Sequence, residues 1–143
     1  MSYVVVDTSV FVKLNGEFID LLECIEKNSN VIAYSKAIAK EYEFRSTSSK
    51  LIMLAYMRSL SKSKILKHIR RNSISSKVNN KTKKYKPQYP IDCQDRKFVD
   101  LAIATDSKHI ICDDHHFHDI GVIRYNGNEC IPISPSDYLD KYC

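Results

Sequence analysis

The sequence predicts an α/β fold built on a mainly parallel sheet, and three features of its pattern support this class. Short runs such as YVVV, VIAY and HIIC are apolar on both faces, which is typical of strands buried in a parallel sheet. Segments with apolar side chains at helical spacing lie between these runs. The resulting alternation of strands and helices along the chain favours an α/β arrangement.

Length and composition indicate a single globular domain. The 143 residues suffice for one core, so we expect one domain over residues 1–143. No apolar run approaches the roughly 20 residues that cross a bilayer, and the N-terminus MSYVVVDTSV lacks the basic stretch of a secretory leader. Five widely spaced cysteines without a CxxC pair favour reduced thiols over a disulfide framework or structural zinc. We therefore expect a cytoplasmic protein without a membrane segment.

The first part of the chain predicts two strands, each followed by a helix. YVVVD (residues 3–7) is a short strand that ends in an acid, and Thr8 and Ser9 are suited to cap a short helix after it. Residues 17–27 carry apolar side chains at helical spacing, and VIAY (residues 31–34) predicts the second strand.

The middle of the chain predicts two helices and a loop. Ser35 is suited to cap the helix SKAIAKEYEF, and apolar side chains recur at helical spacing over residues 50–69. Residues 72–90 are rich in Ser, Asn and Lys and predict a basic loop.

The last part returns to alternating strands and helices. Pro132 weakens the final strand and favours a position near a sheet edge. The predicted elements are, in order, a helix from Asp92 to Asp106, a strand at 109–112, a helical turn at 117–120, strands at 121–125 and 129–133 around an Asn126-Gly127 turn, and a helix begun by Ser134 and Pro135.

Charge is strongly segregated along the chain. Residues 44–91 contain 13 Lys and Arg and no Asp or Glu, although the whole chain has a net charge of +5. Such a block suits a polyanionic partner whose phosphates it would contact, and it is equally compatible with a solvated basic face.

Acidic residues directly follow two of the predicted strands. Asp7 follows the VVV run, and Asp113 and Asp114 follow HIIC. Because ligands of open α/β sheets bind beyond the carboxyl ends of the strands, we expect these acids to meet at one edge of the sheet.

Two further acids lie on apolar helix faces. Asp95 precedes Phe98 by three residues and extends the inward stripe of its helix, and Glu41 shares a face with Ile38 and Phe44. A carboxylate on an apolar face needs a cation, an ion pair or a hydrogen bond, and a salt bridge to Lys or Arg would serve Glu41 as well as a metal would. Four such acids at one edge would suit Mg²⁺ or Mn²⁺.

The order of these motifs resembles the PIN-domain nucleases, from Asp7 to about Tyr138. The motifs are DTSV, AIAKEYEF, DRKFVDLAIA, HIICDDHHF and ISPSDYL. The resemblance implies a three-layer α/β/α sandwich and one or two divalent ions. The residues that it implies as ligands and catalytic groups are Asp7, Glu41, Asp95 and Asp114, with the hydroxyls of Thr8 and Ser9 supporting the first acid.

The chain departs from the pattern of the family in HIICDDHHF. His116 stands where relatives often have a second acid, and Asp113 stands where a small residue is common and is our second choice for the role of Asp114. A tetrahedral zinc site is not favoured, because Cys112, His115, His116 and His118 are too close in sequence to supply its four ligands from one turn.

The resemblance implies a metal-dependent endoribonuclease whose products carry a 5′-phosphate and a 3′-hydroxyl. The basic residues that we expect to contact RNA phosphates are Arg70, Arg71, Lys81, Lys83 and Lys84, and Tyr85 and Tyr89 would stack on bases or pack within the loop. Small PIN proteins include toxins of toxin–antitoxin pairs and RNA-processing enzymes, so an antitoxin protein and a second copy of the chain are the protein partners considered. The alternatives are a catalytically silent RNA-binding or scaffold protein and a nuclease acting on DNA.

Overall fold

The computed structural model of the chain describes residues 2–46, 49–113 and 115–143, with the backbone alone for His115 and His116. Within these ranges strands alternate with helices. The strands are β1 (Ser2–Val6), β2 (Asn30–Tyr34), β3 (Leu66–His68), β4 (His109–Ile111), β5 (Ile123–Tyr125) and β6 (Asn128–Ile133). The helices are α1 (Thr8–Phe11), α2 (Ile19–Lys27), α3 (Lys36–Arg45), α4 (Lys50–Lys62), α5 (Arg71–Lys81), α6 (Arg96–Thr105), α7 (His115–Ile120) and α8 (Pro135–Tyr142), and a 3-10 turn spans Cys93–Asp95.

The six strands form one sheet in the order β3-β2-β1-β4-β6-β5. Neighbouring strands are parallel, except that β5 and β6 form an antiparallel hairpin. At the centre of the sheet, Val5 lies opposite Ile110 and Val6 lies opposite Ile111. The predicted α/β class with a mainly parallel sheet is confirmed.

The core lies between this sheet and the helices that pack on it. Val4, Val5 and Val6 of β1 are at most 2% exposed, and so are Phe98 and Leu101 from the predicted inward stripe of α6. Helix α6 contacts β1, β2 and β4, which places the residues just before it close to the ends of the central strands. No helix in the described ranges is long and apolar enough to cross a membrane.

The single helix predicted over residues 50–69 is wrong in its second half. Helix α4 ends at Lys62, the backbone reverses at Lys64 with a φ of 61°, and β3 follows. The N–H of Ile32 donates to Ile65 and the N–H of Ile69 donates to Tyr34 at 2.8 Å, so this segment extends the sheet beyond β2. Residues 66–68 form a strand because their backbone pairs with β2. This pairing joins residues that are distant in sequence, so the local spacing of apolar side chains does not reveal it.

The loop predicted over residues 72–90 is also wrong in its first half, because helix α5 occupies Arg71–Lys81. Its sequence is polar, but Ile74 and Val78 lie four residues apart and pack against the core. The Lys81 ammonium donates to the carbonyl oxygens of Ile103 at 3.1 Å and Ala104 at 3.3 Å, at the C-terminal end of α6. The residues of α5 have a low tendency to form a helix by themselves, so packing against α6 stabilises this helix. Residues 82–90 contain no helix or strand.

Strand β6 lies next to the edge strand of the sheet, as expected from Pro132. It lies between β4 and β5, and Pro132 is opposite Ile110 of β4. The N–H of Ile131 points to β4, so the nitrogen of Pro132 faces the other side. The pairing with β5 ends at Cys130, so Pro132 interrupts no ladder bond on that side.

Two cysteines are paired, contrary to the expectation of reduced thiols. Cys24 in α2 and Cys143 after α8 form a disulfide, with Cα atoms 6.0 Å apart. The bond joins two helices that already contact each other and closes the chain end onto the body of the protein.

Candidate active site

Asp7 and Asp113 stand at the carboxyl ends of two neighbouring parallel strands. The backbone N–H of Asp7 donates to the carbonyl oxygen of Ile111 at 2.9 Å, which extends the pairing of β1 with β4 by one residue. Asp113 follows the end of β4 by two residues. Both acids therefore lie at the edge of the sheet where ligands bind in open α/β folds. Asp7 is only 6% exposed, so its carboxylate is held in a nearly enclosed position.

The Ser9 hydroxyl binds the first acid, Asp7, as the resemblance implies, whereas the Thr8 hydroxyl donates to Glu41. The Ser9 hydroxyl donates to Oδ2 of Asp7 at 3.2 Å. The Thr8 hydroxyl donates to Oε1 of Glu41 at 2.8 Å, which joins the start of α1 to α3. After Asp7 the chain turns sharply into α1, where the Asp7 carbonyl accepts the N–H of Phe11 at 2.9 Å. This turn places both hydroxyls within hydrogen-bonding distance of the carboxylates.

Glu41 is brought to the edge by α3, which begins at the predicted cap. The Ser35 hydroxyl accepts the N–H of Ile38 at 3.3 Å. The second carboxylate oxygen of Glu41, Oε2, forms an ion pair with the ammonium of Lys97, and each side chain is about one-fifth exposed. Glu41 thus has the salt bridge that we considered as an alternative to a metal. No pattern in the sequence indicated Lys97, because its partner lies on a different helix.

The inward face of α3 differs from the predicted one. Ile38 and Tyr42 are buried, whereas Phe44 is 86% exposed, so Phe44 does not share the face that meets the core. Glu41 lies at the border of the buried face and is half-buried. The apolar character of Phe44 had suggested burial, but the spacing of Ile38 and Tyr42 by four residues defines the packed side.

Tyr42 lies beneath the acids and fixes the end of β1. Its hydroxyl donates to the carbonyl oxygen of Val6 at 2.6 Å, and its ring stacks on Phe11 with centroids 3.8 Å apart. Burial, followed by the charges of Asp7 and Glu41, raises the pKa of Tyr42 well above its usual range. The phenol therefore stays neutral and remains a hydrogen-bond donor beside two carboxylates.

Asp95 reaches the same place from the short turn before α6. Asp92 caps this turn, because its side chain accepts the N–H of Gln94 at 2.9 Å. Asp95 ends the 3-10 turn and precedes Arg96, the first residue of α6. The N-terminal end of α6 thus lies at the carboxyl edge of the sheet, which brings Asp95 beside the strand-end acids.

These segments enclose one cleft of about 240 Å³. The residues that line it are Asp7, Thr8, Ser9, Glu41, Arg45, Asp95 and Asp113. Three of the four predicted ligands therefore share a cleft with the predicted hydroxyls and with Asp113. Arg45, from the last turn of α3, adds a guanidinium that no sequence pattern indicated. Carboxylates and a guanidinium in one cleft suit a ligand that carries both a cation and an anionic group.

Asp114, the first choice for the last acid, lies outside the described residues, as does the side chain of His116. Across residues 2–46, 49–113 and 115–143, no three Asp, Glu, His or Cys side chains form a group that could hold a metal ion. The chemistry of the donor set is nonetheless that of a hard cation, since Asp7, Glu41, Asp95 and Asp113 offer only oxygen. Mg²⁺ usually takes one or two carboxylates, keeps several waters and completes its shell with substrate phosphate, so it does not require a closed cage.

The two described histidine side chains of the 109–118 stretch have different surroundings. His118 bonds through Nε2 to the carbonyl oxygen of Cys112 at 3.3 Å, just beyond the end of β4. His109 begins β4 at the opposite edge of the sheet, where its ring contacts Tyr142 with centroids 5.0 Å apart.

The predicted phosphate-contacting residues divide between two edges of the sheet. Arg70 and Arg71 are exposed and follow the carboxyl end of β3, so they share the edge of the acids. Lys81 lies at the far end of α5, where its ammonium also pairs with Asp106 at 3.0 Å. Lys83 and Lys84 are exposed and begin the segment that returns to the 3-10 turn. The ammonium of Lys81 therefore already has partners within the protein, whereas a lysine that binds RNA needs a free ammonium.

The two tyrosines of the basic segment also differ in their surroundings. The Tyr89 hydroxyl donates to Asp100 at 2.5 Å, and the Arg96 guanidinium lies 4.7 Å from the centre of its ring. Burial, followed by the bond to Asp100, raises the pKa of Tyr89. Tyr85 is 68% exposed. Tyr89 thus has the packing role considered above, and Tyr85 retains an open face.

Fold and cleft define a class: an α/β protein with carboxylates gathered at the carboxyl edge of a mainly parallel sheet. No protein-family model matches the chain, and no curated protein matches it. The residues of the cleft are therefore the basis on which a function can be assigned.

Proposed function

We propose that this protein is a metal-dependent endoribonuclease with a PIN-like, three-layer α/β/α fold. The observation that carries the proposal is that acids from four separate segments line one cleft: Asp7 after β1, Glu41 in α3, Asp95 before α6 and Asp113 after β4. Structural salt bridges between two helices would account for one or two of these acids. Four acids beside a guanidinium are better explained as a site for a cation and a phosphate.

The proposed metal ligands are Asp7, Glu41, Asp95 and Asp114, with Asp113 as the alternative to Asp114. Their oxygens fit Mg²⁺ or Mn²⁺, which bind substrate phosphate while keeping waters of their own. A divalent ion in this cleft would lower the pKa of a water molecule and orient it for in-line attack on phosphorus.

The side chains of the cleft have defined tasks in this reaction. The Ser9 hydroxyl holds Asp7 and the Thr8 hydroxyl holds Glu41, so both carboxylates are oriented before substrate arrives. Arg45 is the group best suited to a non-bridging phosphate oxygen, because its guanidinium can bind two oxygens at once. Attack by water breaks the bond between phosphorus and O3′, leaving a 5′-phosphate on one product and a 3′-hydroxyl on the other.

The RNA strand would cross a basic surface that consists of Arg70, Arg71, Lys83 and Lys84. Arg70 and Arg71 lie at the same edge as the acids, and the exposed Lys83 and Lys84 lie further along the chain. Contacts of this kind hold the phosphate backbone and do not select a sequence. Tyr85 is the aromatic residue most suited to stack on a base.

In the cell this activity would suit the toxin of a toxin–antitoxin pair in the cytoplasm, or an enzyme of RNA processing. An acidic antitoxin would complement the charge of the basic surface, and a second copy of the chain is the other protein partner that we propose.

A labelled single-stranded RNA, incubated with the protein and Mn²⁺ or Mg²⁺, tests the proposal directly. We expect internal cleavage that EDTA abolishes and excess metal restores, with 5′-phosphate ends that a ligase accepts. Absence of metal-dependent cleavage of every RNA and of single-stranded DNA would refute a nuclease function.

The second candidate is a catalytically silent RNA-binding or scaffold protein with the same fold. It is favoured by the Lys97 ammonium on Glu41, which supplies a cation without any metal, and by the absence of a three-ligand group within the described residues. Calorimetric titration with Mn²⁺ separates the two, since a silent protein would bind RNA without binding the ion.

A further inference from the structure

We propose that Lys97, which pairs with Glu41 at the border of the cleft, is a cation that a divalent ion displaces from this carboxylate when it binds. The inference rests on the proposed function and extends it to how the cleft is regulated. Lys97 acts through Glu41 and is thus a positioning residue.

The first support is that both oxygens of the Glu41 carboxylate are in use. Oε1 accepts the Thr8 hydroxyl at 2.8 Å, and Oε2 pairs with the Lys97 ammonium. The bond to Thr8 is compatible with metal binding, because a hydroxyl donor does not repel a cation. The ammonium is not compatible, because a positive charge on the same oxygen opposes a divalent ion at close range.

The second support is the position of Lys97 on its helix. It is the second residue of α6, at the end where the helix dipole disfavours positive charge. The ion pair with Glu41 offsets this unfavourable position. The ammonium therefore neutralises the Glu41 carboxylate.

The third support is that the ammonium is able to leave. The Lys97 side chain is 20% exposed and has a flexible four-carbon stem, so it can move to solvent while α6 stays in place. Metal binding would then be an exchange of one cation for another. The exchange lowers the affinity for metal and keeps the metal-free protein stable.

The experiment compares Lys97→Met, Lys97→Arg and a matched control by calorimetric titration with Mn²⁺ alone and by thermal unfolding with and without Mn²⁺. Lys81→Met is the control, because Lys81 is 23% exposed and pairs with Asp106 away from the cleft. Methionine removes the charge and keeps the stem, whereas arginine keeps the charge and can bind the carboxylate through two nitrogens.

We expect Lys97→Met to bind Mn²⁺ at least about fivefold more tightly than the wild type, which is the lower end of usual coupling between sites. It should unfold at a lower temperature without Mn²⁺ and recover when Mn²⁺ is added. Lys97→Arg should bind Mn²⁺ more weakly than the wild type, so the test does not depend on the folding of the methionine variant. Lys81→Met should lose stability equally with and without Mn²⁺.

The outcomes separate this inference from the proposed function. If the wild type and both Lys97 variants bind Mn²⁺ equally, Lys97 is only a structural ion pair and the metal site stands. If only Lys97→Met binds Mn²⁺, the exchange is supported and the resident lysine is the reason that the wild type is silent. If none of the proteins binds Mn²⁺, both the metal site and the exchange are overturned.

Discussion

The hydroxyl of Tyr42 donates to the carbonyl oxygen of Val6 at 2.6 Å, one residue before Asp7. This bond ties α3, which carries Glu41, to the end of the strand that carries Asp7. The cleft is therefore assembled by a buried contact between two elements, and a neutral phenol is required to make it.

Replacing this phenol tests its contribution. Tyr42→Phe leaves a buried carbonyl oxygen without its donor, so we expect a loss of about 1–3 kcal/mol in the free energy of unfolding. RNA cleavage should fall further than this loss explains, because Asp7 would no longer be held relative to Glu41. Chemical denaturation and single-turnover cleavage measure the two effects. Tyr125→Phe is the control, since Tyr125 is equally buried and its hydroxyl bonds to Asp106; an equal loss of cleavage in both variants would contradict a role in the cleft.

The carboxylate of Asp7 provides the most direct test of the reaction. Asp7→Asn keeps the shape and the bond from Ser9 but removes a charge, so we expect cleavage to be abolished while the fold remains intact. Relief of repulsion among the acids should leave the melting temperature unchanged or higher in the absence of metal. Cleavage with Mn²⁺ and melting temperature are measured together, with the exposed Asp140→Asn of α8 as control. Undiminished cleavage by pure Asp7→Asn would exclude this acid from the chemistry.

Much of the fold follows from local sequence pattern. The VVV run before Asp7, the cap at Ser35 and the Ser134-Pro135 start of α8 each combine residue type with position, and the structure contains all three. Strand β3 and helix α5 were not predictable in this way. Both depend on docking, β3 on backbone bonds to β2 and α5 on the bond from Lys81 to the end of α6.

The site was predictable to a similar degree. Acids at strand ends were expected to meet because parallel strands share an edge, and Asp7 and Asp113 line one cleft. Lys97 was not predictable, because a cation that pairs across two helices has no signature in either helix alone. Arg45 was not predictable either, because it lines the cleft only through the position of α3 in the fold. The role of Tyr42 was not predictable either, because its hydroxyl bonds to a carbonyl oxygen in β1, far away in the sequence.

We expect the ring of His109 to make the free energy of unfolding depend on pH. Its Nδ1 is buried and has no hydrogen-bond partner among the residues that the structure describes. Burial lowers the pKa of His109, a bond with the Ile131 backbone opposes this shift, and the charges of Lys141 and Lys108 add to it. The unfolded chain then takes up a proton at a higher pH than the folded chain does. Stability is therefore full above the ordinary pKa of about 6.5 and is lost as pH falls below it.

This pH dependence can be measured by denaturation between pH 7.5 and pH 5. We expect the free energy of unfolding of the wild type to decline over this range, and His109→Phe, which keeps a ring against Tyr142, to decline less. His68→Gln at the exposed end of β3 is the control. Equal slopes for wild type and His109→Phe would assign the dependence to other groups.

The basic surface separates a nuclease from a protein with an acid cluster alone. If Arg70, Arg71, Lys83 and Lys84 contact phosphates, RNA binding should weaken steeply with salt, with a log–log slope of roughly −0.7 per phosphate on a single strand. Lys83→Glu with Lys84→Glu, and Arg70→Glu with Arg71→Glu, should each weaken binding to all sequences alike and reduce the slope by roughly 1.4, for two lost contacts. The arginine pair should have the greater effect on cleavage, because it lies at the edge of the acids.

Salt titrations of RNA binding in Ca²⁺, which supports binding and suppresses cleavage, measure these slopes. Lys81→Met is the comparison, because the Lys81 ammonium is already bonded to Ile103, Ala104 and Asp106. This variant should be less stable than the wild type, with little change in the salt dependence of RNA binding. Metal affinity should barely change in the lysine pair, since charges more than about 10 Å apart are largely screened at ordinary ionic strength. Slopes identical to that of the wild type in both charge-reversal pairs would mean that this surface lies away from RNA. The surface would then be a solvated face or the docking site of an acidic protein, such as an antitoxin.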